Sequence, residues 1–330
     1  MVLELQVGDK ELIGLTYKSS YDLIKLLLDN SAGASANDND GIMLAVEGDA
    51  KVVKLLIDNG ANPNANNALN GASGAGNIEV VKLLIDDGVD VNINNNEALK
   101  IALKEEYHEM VRLLVEAGAD VTVNNNQALK SALERNDLED VVLFVSSGAD
   151  IHVNNDSAIV WAVEHGHTKL VKQLIDLGAN VNGSLLTTAS ENGYTDIAKL
   201  LLDLGIISDS DKVQSIDIAA GNGYIEIVKL LLDDYVNLDR PLNVACIYGH
   251  LEIAKLLIDA GAEVNPTRNT EPLLVAAEQG HIDIVKLLIA SGLELNDDGT
   301  YQALREAVKY NHFDVVEVLI AAGLDPSESI

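Results

Sequence analysis

The fourteen residues EVVKLLIDDGVDVN, Glu79 to Asn92, decide how the rest of the chain is read. The phrase returns as DIVKLLIASGLELN (Asp283 to Asn296), as DIAKLLLDLG (Asp196 to Gly205) and as DLIKLLLDN (Asp22 to Asn30). Its closing glycines are Gly60, Gly88, Gly118, Gly148, Gly178, Gly205, Gly261, Gly292 and Gly323. They are separated by 28, 30, 30, 30, 27, 56, 31 and 31 residues, the 56 being two units. A period of this size belongs to stacked arrays, in which each unit packs on its neighbours and there is no single central core. The expectation is one elongated domain over residues 8–325, with about eleven units, capping units at both ends and a short polar tail at 326–330.

Within a unit the physics is local. The stretches Arg240 to Asn265 and Glu271 to Asn296 each open on Pro-Leu (Pro241-Leu242, Pro272-Leu273), pass through small residues, and reach Gly-His (Gly249-His250, Gly280-His281). Proline suits a first helical turn, where its missing N–H leaves no bond unmade. The following glycine suits the left-handed residue that ends a helix. The next helix carries Ile253, Ala254, Leu256, Leu257 and Ile258 over more than half its circumference, so it is sandwiched between neighbours. Glu252 and Lys255 occupy the remaining face, acid before base, in the order that suits the helix dipole. Such short helices are unstable alone and persist by packing unit on unit. The links VNINNNEAL (Val91 to Leu99) and VTVNNNQAL (Val121 to Leu129) are read as tight hairpin-like turns, because asparagine tolerates left-handed backbone. The fold class is therefore all-α, a solenoid of helix-turn-helix units.

Composition bounds the partners. The chain has 52 acidic and 22 basic residues, a formal net charge of −30. No Lys/Arg excess is available to displace phosphate counterions, which argues against nucleic acid and against an anionic membrane surface. A basic protein partner is allowed, since acidity steers such encounters. Apolar residues make up 48% and aromatics 4%, as expected of thin layers built from Leu, Ile, Val and Ala. Cys246 is the single cysteine, so no intrachain disulfide forms and a reducing, cytoplasmic setting is expected. The N-terminus lacks the pattern of a signal peptide and no long apolar run is present.

Pro-Leu…Ala…Gly-His followed by E-I-V-K-L-L-I-D-x-G-A-x-V-N resembles the ankyrin repeat, over nearly the whole chain. Two departures stand out. The family's usual period is 33, whereas these units mostly run to 30 or fewer, with the missing residues taken from the hairpin. The family's Thr-Pro-Leu-His opening has become, for example, Gln-Ala-Leu-Lys (Gln127 to Lys130). The short, asparagine-rich texture is similar to the ankyrin sets of giant DNA viruses of protists, for which the cytoplasm would be that of the host. The resemblance implies a monomeric, non-enzymatic scaffold that binds protein through hairpin tips and the concave face of the first helices, with no cofactor. Trimmed tips shift recognition to the concave face. Its pairs fall at the ends of the first helices: Lys104 and Glu105, Glu134 and Arg135, Glu164 and His165, Glu191 and Asn192, Gly221 and Asn222, Ile247 and Tyr248, Glu278 and Gln279, Lys309 and Tyr310. Tyr248 and Tyr310 are the expected anchors, because interface hot spots are aromatic or Arg.

Other motifs were weighed against the repeat. Residues 36–47 place Asp38, Asp40, Gly41 and Glu47 at calcium-loop positions, but the first ligand position is Ala36. Gly71, Gly74 and Gly76 do not have dinucleotide spacing; inside a helix each glycine costs about 1 kcal/mol relative to alanine, so the first helix there is expected to be the weakest. His167, His250, His281 and His312 share one repeat position, too far apart to share an ion, and structural hydrogen bonding is expected of them. Trp161 is read as core packing. Leu143 is read as an exposed residue at the position where the second helices carry lysine, a candidate back-face contact. Tyr235 stands where other units have the closing glycine, so a local change of twist is expected there. The leading reading is a protein-binding scaffold; the alternatives are a host-directed adaptor to a ubiquitin ligase and a structural component of a viral particle.

Overall fold

The computed structural model of the chain describes residues 21–29, 33–34, 36–65, 67–232, 237–265, 272–295 and 298–325, without the side chains of 36–40. Among the described residues there are 21 helices and no strand. The chain divides into two compact units, residues 1–158 and 159–330. The first contains α1 (Tyr21–Asp29), α2 (Ala36–Ala45), α3 (Ala50–Asp58), α4 (Ala68–Gly74), α5 (Ile78–Asp86), α6 (Ile93–Lys104), α7 (His108–Glu116), α8 (Val123–Glu134) and α9 (Leu138–Ser146). The boundary falls inside α10 (Val153–Glu164). The second unit continues with α11 (Thr168–Asp176), α12 (Gly183–Glu191), α13 (Thr195–Leu202), α14 (Asp209–Asn222) and α15 (Ile225–Leu231). It closes with α16 (Asp239–Tyr248), α17 (Leu251–Asp259), α18 (Pro272–Gln279), α19 (Ile282–Ala290), α20 (Asp298–Lys309) and α21 (Phe313–Ala321).

The pair α16 and α17 shows how one repeat forms. Pro241 sits in the first turn, and Leu242, Ala245 and Cys246 face inward. Gly249 ends the helix at φ +78°, and α17 begins two residues later. Ile253, Ala254 and Leu257 then fill the core, each side chain of leucine size contributing about 2 kcal/mol by burial. Small residues let successive first helices approach closely: Ala72, Ala102 and Ala132 in one unit, and Ala189, Ala219, Ala245, Ala276 and Ala307 in the other, are all 0% exposed. Residues 36–45 are helix, which is incompatible with a calcium loop there. The seven-residue α4 lacks a side-chain cap bond, and its buried Ser73 hydroxyl has no hydrogen-bond partner among the described residues, as is also true of Ser190 and Ser215 in later first helices. The change of twist expected at Tyr235 lies outside the described residues.

In residues 90–156 the links are built from left-handed asparagine. Asn94, Asn95 and Asn96 have φ of 55°, 60° and 59°, and Asn124, Asn125 and Asn126 have 52°, 58° and 57°. Asn154, Asn155 and Asp156 repeat the pattern at 53°, 58° and 60°. Left-handed backbone costs most residues about 1–2 kcal/mol, and asparagine is among the few that adopt it readily. The third residue of each triplet turns inward, so that Asn96 and Asn126 are 6% and 5% exposed. Their Oδ1 atoms accept the backbone N–H of Asp120 at 2.9 Å and of Asp150 at 2.7 Å, in the next repeat. The carboxylates of Asp90, Asp120 and Asp150 in turn accept the N–H two residues on, at 2.9, 2.9 and 3.0 Å. The first two links are thus left-handed turns stapled to the next repeat, and the turn chemistry expected of the asparagines is what forms.

Residues 159–330 repeat throughout a contact that the first unit makes at Tyr107 over Gly76. The ring that follows each first helix lies over the helix-ending glycine of the preceding repeat: Tyr194 over Gly166, Tyr224 over Gly193, His250 over Gly223, His281 over Gly249 and His312 over Gly280. A Cβ on Gly249 would stand 2.6 Å from His281 Cε1, and one on Gly280 would stand 2.5 Å from His312 Nδ1. The three histidines also donate from Nε2 to carbonyl oxygens two residues before those glycines: His250 to Gly221 at 3.0 Å, His281 to Ile247 at 3.1 Å, His312 to Glu278 at 3.0 Å. These bonds are the structural role expected of the repeated histidines. His167 departs from it, packing its ring against Trp161 with centroids 5.0 Å apart.

Candidate protein-binding surface

The ends of the first helices carry the candidate residues, and the ring contacts fix where those ends stand. In the second unit Tyr248 closes α16 and is 61% exposed, while Ile247 is half-buried and lends its carbonyl to His281. Glu278 is half-buried with its carbonyl on His312, and Gln279 is exposed. Lys309 pairs with Glu306 at 2.6 Å and lies 4.7 Å from the centre of the Tyr310 ring. Its hydrogen bond to Glu306 holds the ammonium above its ordinary pKa. Tyr310, one residue past α20, is 45% exposed. Tyr248 and Tyr310 therefore belong to repeats two apart, with the Glu278–Gln279 pair on the repeat between them.

Glu164 and His165, at the end of α10, are exposed. His165 is nevertheless engaged: it stacks on Trp161 at 4.6 Å, and its Nδ1 donates to the Trp161 carbonyl oxygen at 2.9 Å. Trp161 is 7% exposed, as core packing requires. Burial, reinforced by the neighbouring His165, holds the His167 imidazole below its usual pKa. Burial pushes the Cys246 thiol up to about 12, so it is not a nucleophile at neutral pH.

Two positions read from sequence need correction. Lys82 stands six residues before its closing Gly88, and the residue six before Gly148 is Val142, not Leu143. The structure follows that register: Val142 is 37% exposed, whereas Leu143 is half-buried beside the core. The second concerns Arg135, one of the first-helix end residues. Its side chain is directed at Asp140, with Nη2 2.7 Å from Oδ2, while Nη1 donates to Ser131 Oγ at 2.6 Å. Arg112 takes the other oxygen of Asp140 through Nε at 2.8 Å. Asp140 is 1% exposed and occupies the place held by the buried Val80 and Met110 in the two preceding repeats. A small polar cavity opens beside it, lined by His108, Ser131, Arg135 and Phe144 among others. Counting residues back from Gly148 would have shown a carboxylate at a core position; its two arginine partners come from different helices and carry no such signal.

Among the described residues no three His, Cys, Asp or Glu side chains gather as a metal site, and no helix is long and apolar enough to cross a membrane. Short paired helices repeated at about 30 residues define a helical-repeat protein. The family model for ankyrin repeats (3 copies) matches residues 42–125, 69–155, 129–212, 216–268 and 242–329, and the chain belongs to the ankyrin-repeat family. Ankyrin repeats are generally protein–protein interaction modules. No curated protein matches the sequence.

Proposed function

We propose that the chain is a non-enzymatic scaffold that takes a protein partner on the ends of its first helices within residues 159–330, the face that the family resemblance makes concave. The observation that carries this reading is the exposure of two aromatic side chains at equivalent helix ends, 61% for Tyr248 and 45% for Tyr310. Aromatic anchors dominate interface energetics, and two exposed rings at equivalent helix ends supply a pair of them on one face. The formal charge of −30 favours encounter with partners that are basic overall.

The test is affinity capture with the immobilised full chain and with a Tyr248→Ala/Tyr310→Ala double variant. A partner recovered by the first and lost by the second supports the reading. Equal recovery by both moves the binding away from this face.

A further inference from the structure

Arg240, Val244 and Tyr248 are spaced four residues apart on α16, so they form one stripe about 12 Å long on the helix surface. The Arg240 side chain is 77% exposed, yet it is anchored: Nε lies 3.0 Å from Oδ2 of Asp217 on α14. Asp217 is 6% exposed, and neither of its carboxylate oxygens has a hydrogen-bond partner. Burial raises the Asp217 carboxyl, and the Arg240 charge opposes that shift. The ion pair, made without hydrogen-bond geometry, partly offsets the burial of Asp217 and holds the guanidinium near α14 by charge. Its two terminal nitrogens, which make no ion pair among the described residues, are left for an outside acceptor.

The other end of the stripe is apolar. Gly221 of the preceding repeat presents no side chain there; a Cβ on it would stand 3.2 Å from Val244 Cγ1 and 3.4 Å from Tyr248 Cε2. The Tyr248 ring consequently lies along bare backbone with Val244 beside it, a shelf with a cation at one end.

We propose that this stripe selects the partner: it takes a segment presenting one carboxylate side chain to Arg240 and an apolar side chain to the Val244–Tyr248 shelf. The inference rests on the scaffold reading above and adds the chemistry of what is bound. A guanidinium fork matches a carboxylate in two parallel bonds, which an ammonium does not reproduce. The formal charge of −30 supplies the opposing selection. It repels segments carrying runs of acid, while a single carboxylate within a neutral or basic segment is accepted.

The experiment selects displayed random peptides on the full chain, then measures one synthetic winner by fluorescence anisotropy against variants whose folding is checked by circular dichroism. Enriched peptides are expected to share a single Asp or Glu near a large apolar residue. Arg240→Ala should weaken binding about thirtyfold, the loss typical of a hot spot. Arg240→Lys keeps an ion pair for Asp217 but should still lose about tenfold, for want of the fork. Replacing the peptide carboxylate by its amide should cost as much as Arg240→Ala, with no further loss when the two changes are combined. Enrichment of peptides without a carboxylate, or wild-type binding by folded Arg240→Lys and Arg240→Ala, overturns the proposal. If Tyr248→Ala still weakens binding in that case, the scaffold face stands and only its acid selection falls; if it has no effect, or nothing is enriched, both readings fall.

Discussion

Between Asp90 and Asp156 buried asparagine amides reach from one repeat to the next, whereas between Gly166 and His312 five rings lie over glycines of the preceding repeat. Tyr107 over Gly76 and the Asn265 amide bonded to Glu294 show that neither device is confined to its region. The contrast extends to the residue that ends the first helix. In the second region it is glycine wherever a ring lies above, and Asn311 at φ 64° in the last repeat. In the first it is Glu106 at φ 57° and Asn136 at φ 55°, and the position that would carry a ring one repeat after Glu106 is Asp137. Each region buries a carboxylate, but Asp140 in the first is held by two arginines with hydrogen-bond geometry, whereas Asp217 in the second has one ion pair and no hydrogen bond. Both regions keep the same helix pairs. What differs is the weight of the two devices: the first region relies on polar groups, which must be matched bond by bond, while the second adds the fit of rings over bare backbone to its hydrogen bonds.

The largest effect is expected where the polar solution is half dismantled. Arg135→Ala leaves Asp140 buried with Arg112 as its remaining direct contact, and should cost about 3 kcal/mol in denaturant unfolding. Asp140→Val restores an apolar core residue and should stay within about 1 kcal/mol of wild type, because replacing a buried ion network by apolar groups is often neutral. A large loss in Asp140→Val would mean that the network contributes net stability, and would break the comparison. Next comes the shape solution. Gly249→Ala forces a Cβ against His281 at φ +78° and should cost about 2 kcal/mol, whereas Glu106→Gly relieves left-handed strain and should stabilise by about 1 kcal/mol. Thermal melts that moved both variants in the same direction would count against the distinction.

A third, smaller loss is expected from Asn126→Ala. The variant removes the acceptor for the Asp150 N–H and places a residue less suited to φ 57°, at a cost of about 1.5 kcal/mol by chemical denaturation. The smallest effect concerns acid. Hydrogen bonds from the Thr122 hydroxyl and backbone N–H hold the Asp120 carboxyl below its usual pKa. A lowered folded pKa stabilises the protein above the unfolded value and loses that contribution as pH falls through the folded one. Thr122→Val should therefore move the acid-unfolding midpoint slightly upward; an unchanged midpoint would show that the link bonds do not contribute.

The sequence made the architecture legible because the repeating phrase is core and capping chemistry, and both are local. Gly249, Gly261 and the asparagine triplets read as left-handed positions, and they are. The ring contacts were legible only in part: His250, His281 and His312 could be read as structural, but that each ring lies on the previous repeat's glycine follows from the distance between repeats. Leu143 was placed one position out of register, and counting from the closing glycine corrects it. Among the surface positions, Tyr248 and Tyr310 are as exposed as expected, while Arg135 and His165 are drawn into contacts with Asp140 and Trp161. Periodicity shows which way a backbone faces; it does not show which neighbour a long polar side chain will find.

The glycine-and-ring contacts also bear on how such a chain can grow. A repeat of the second kind is not an interchangeable brick, because its ring requires a bare backbone in the repeat before it. A copied stretch beginning at Tyr224 could be spliced after Gly193 or Gly249 and fit, because its ring would lie over Gly166 or Gly223, but placed after Asn136 it would meet the Glu106 side chain where the ring must lie. Gene duplication can therefore lengthen this region by inserting whole glycine-to-ring intervals, while exchange between the two kinds of repeat is barred at the junction. The array carries its own rule of adjacency, written in which residues lack a side chain.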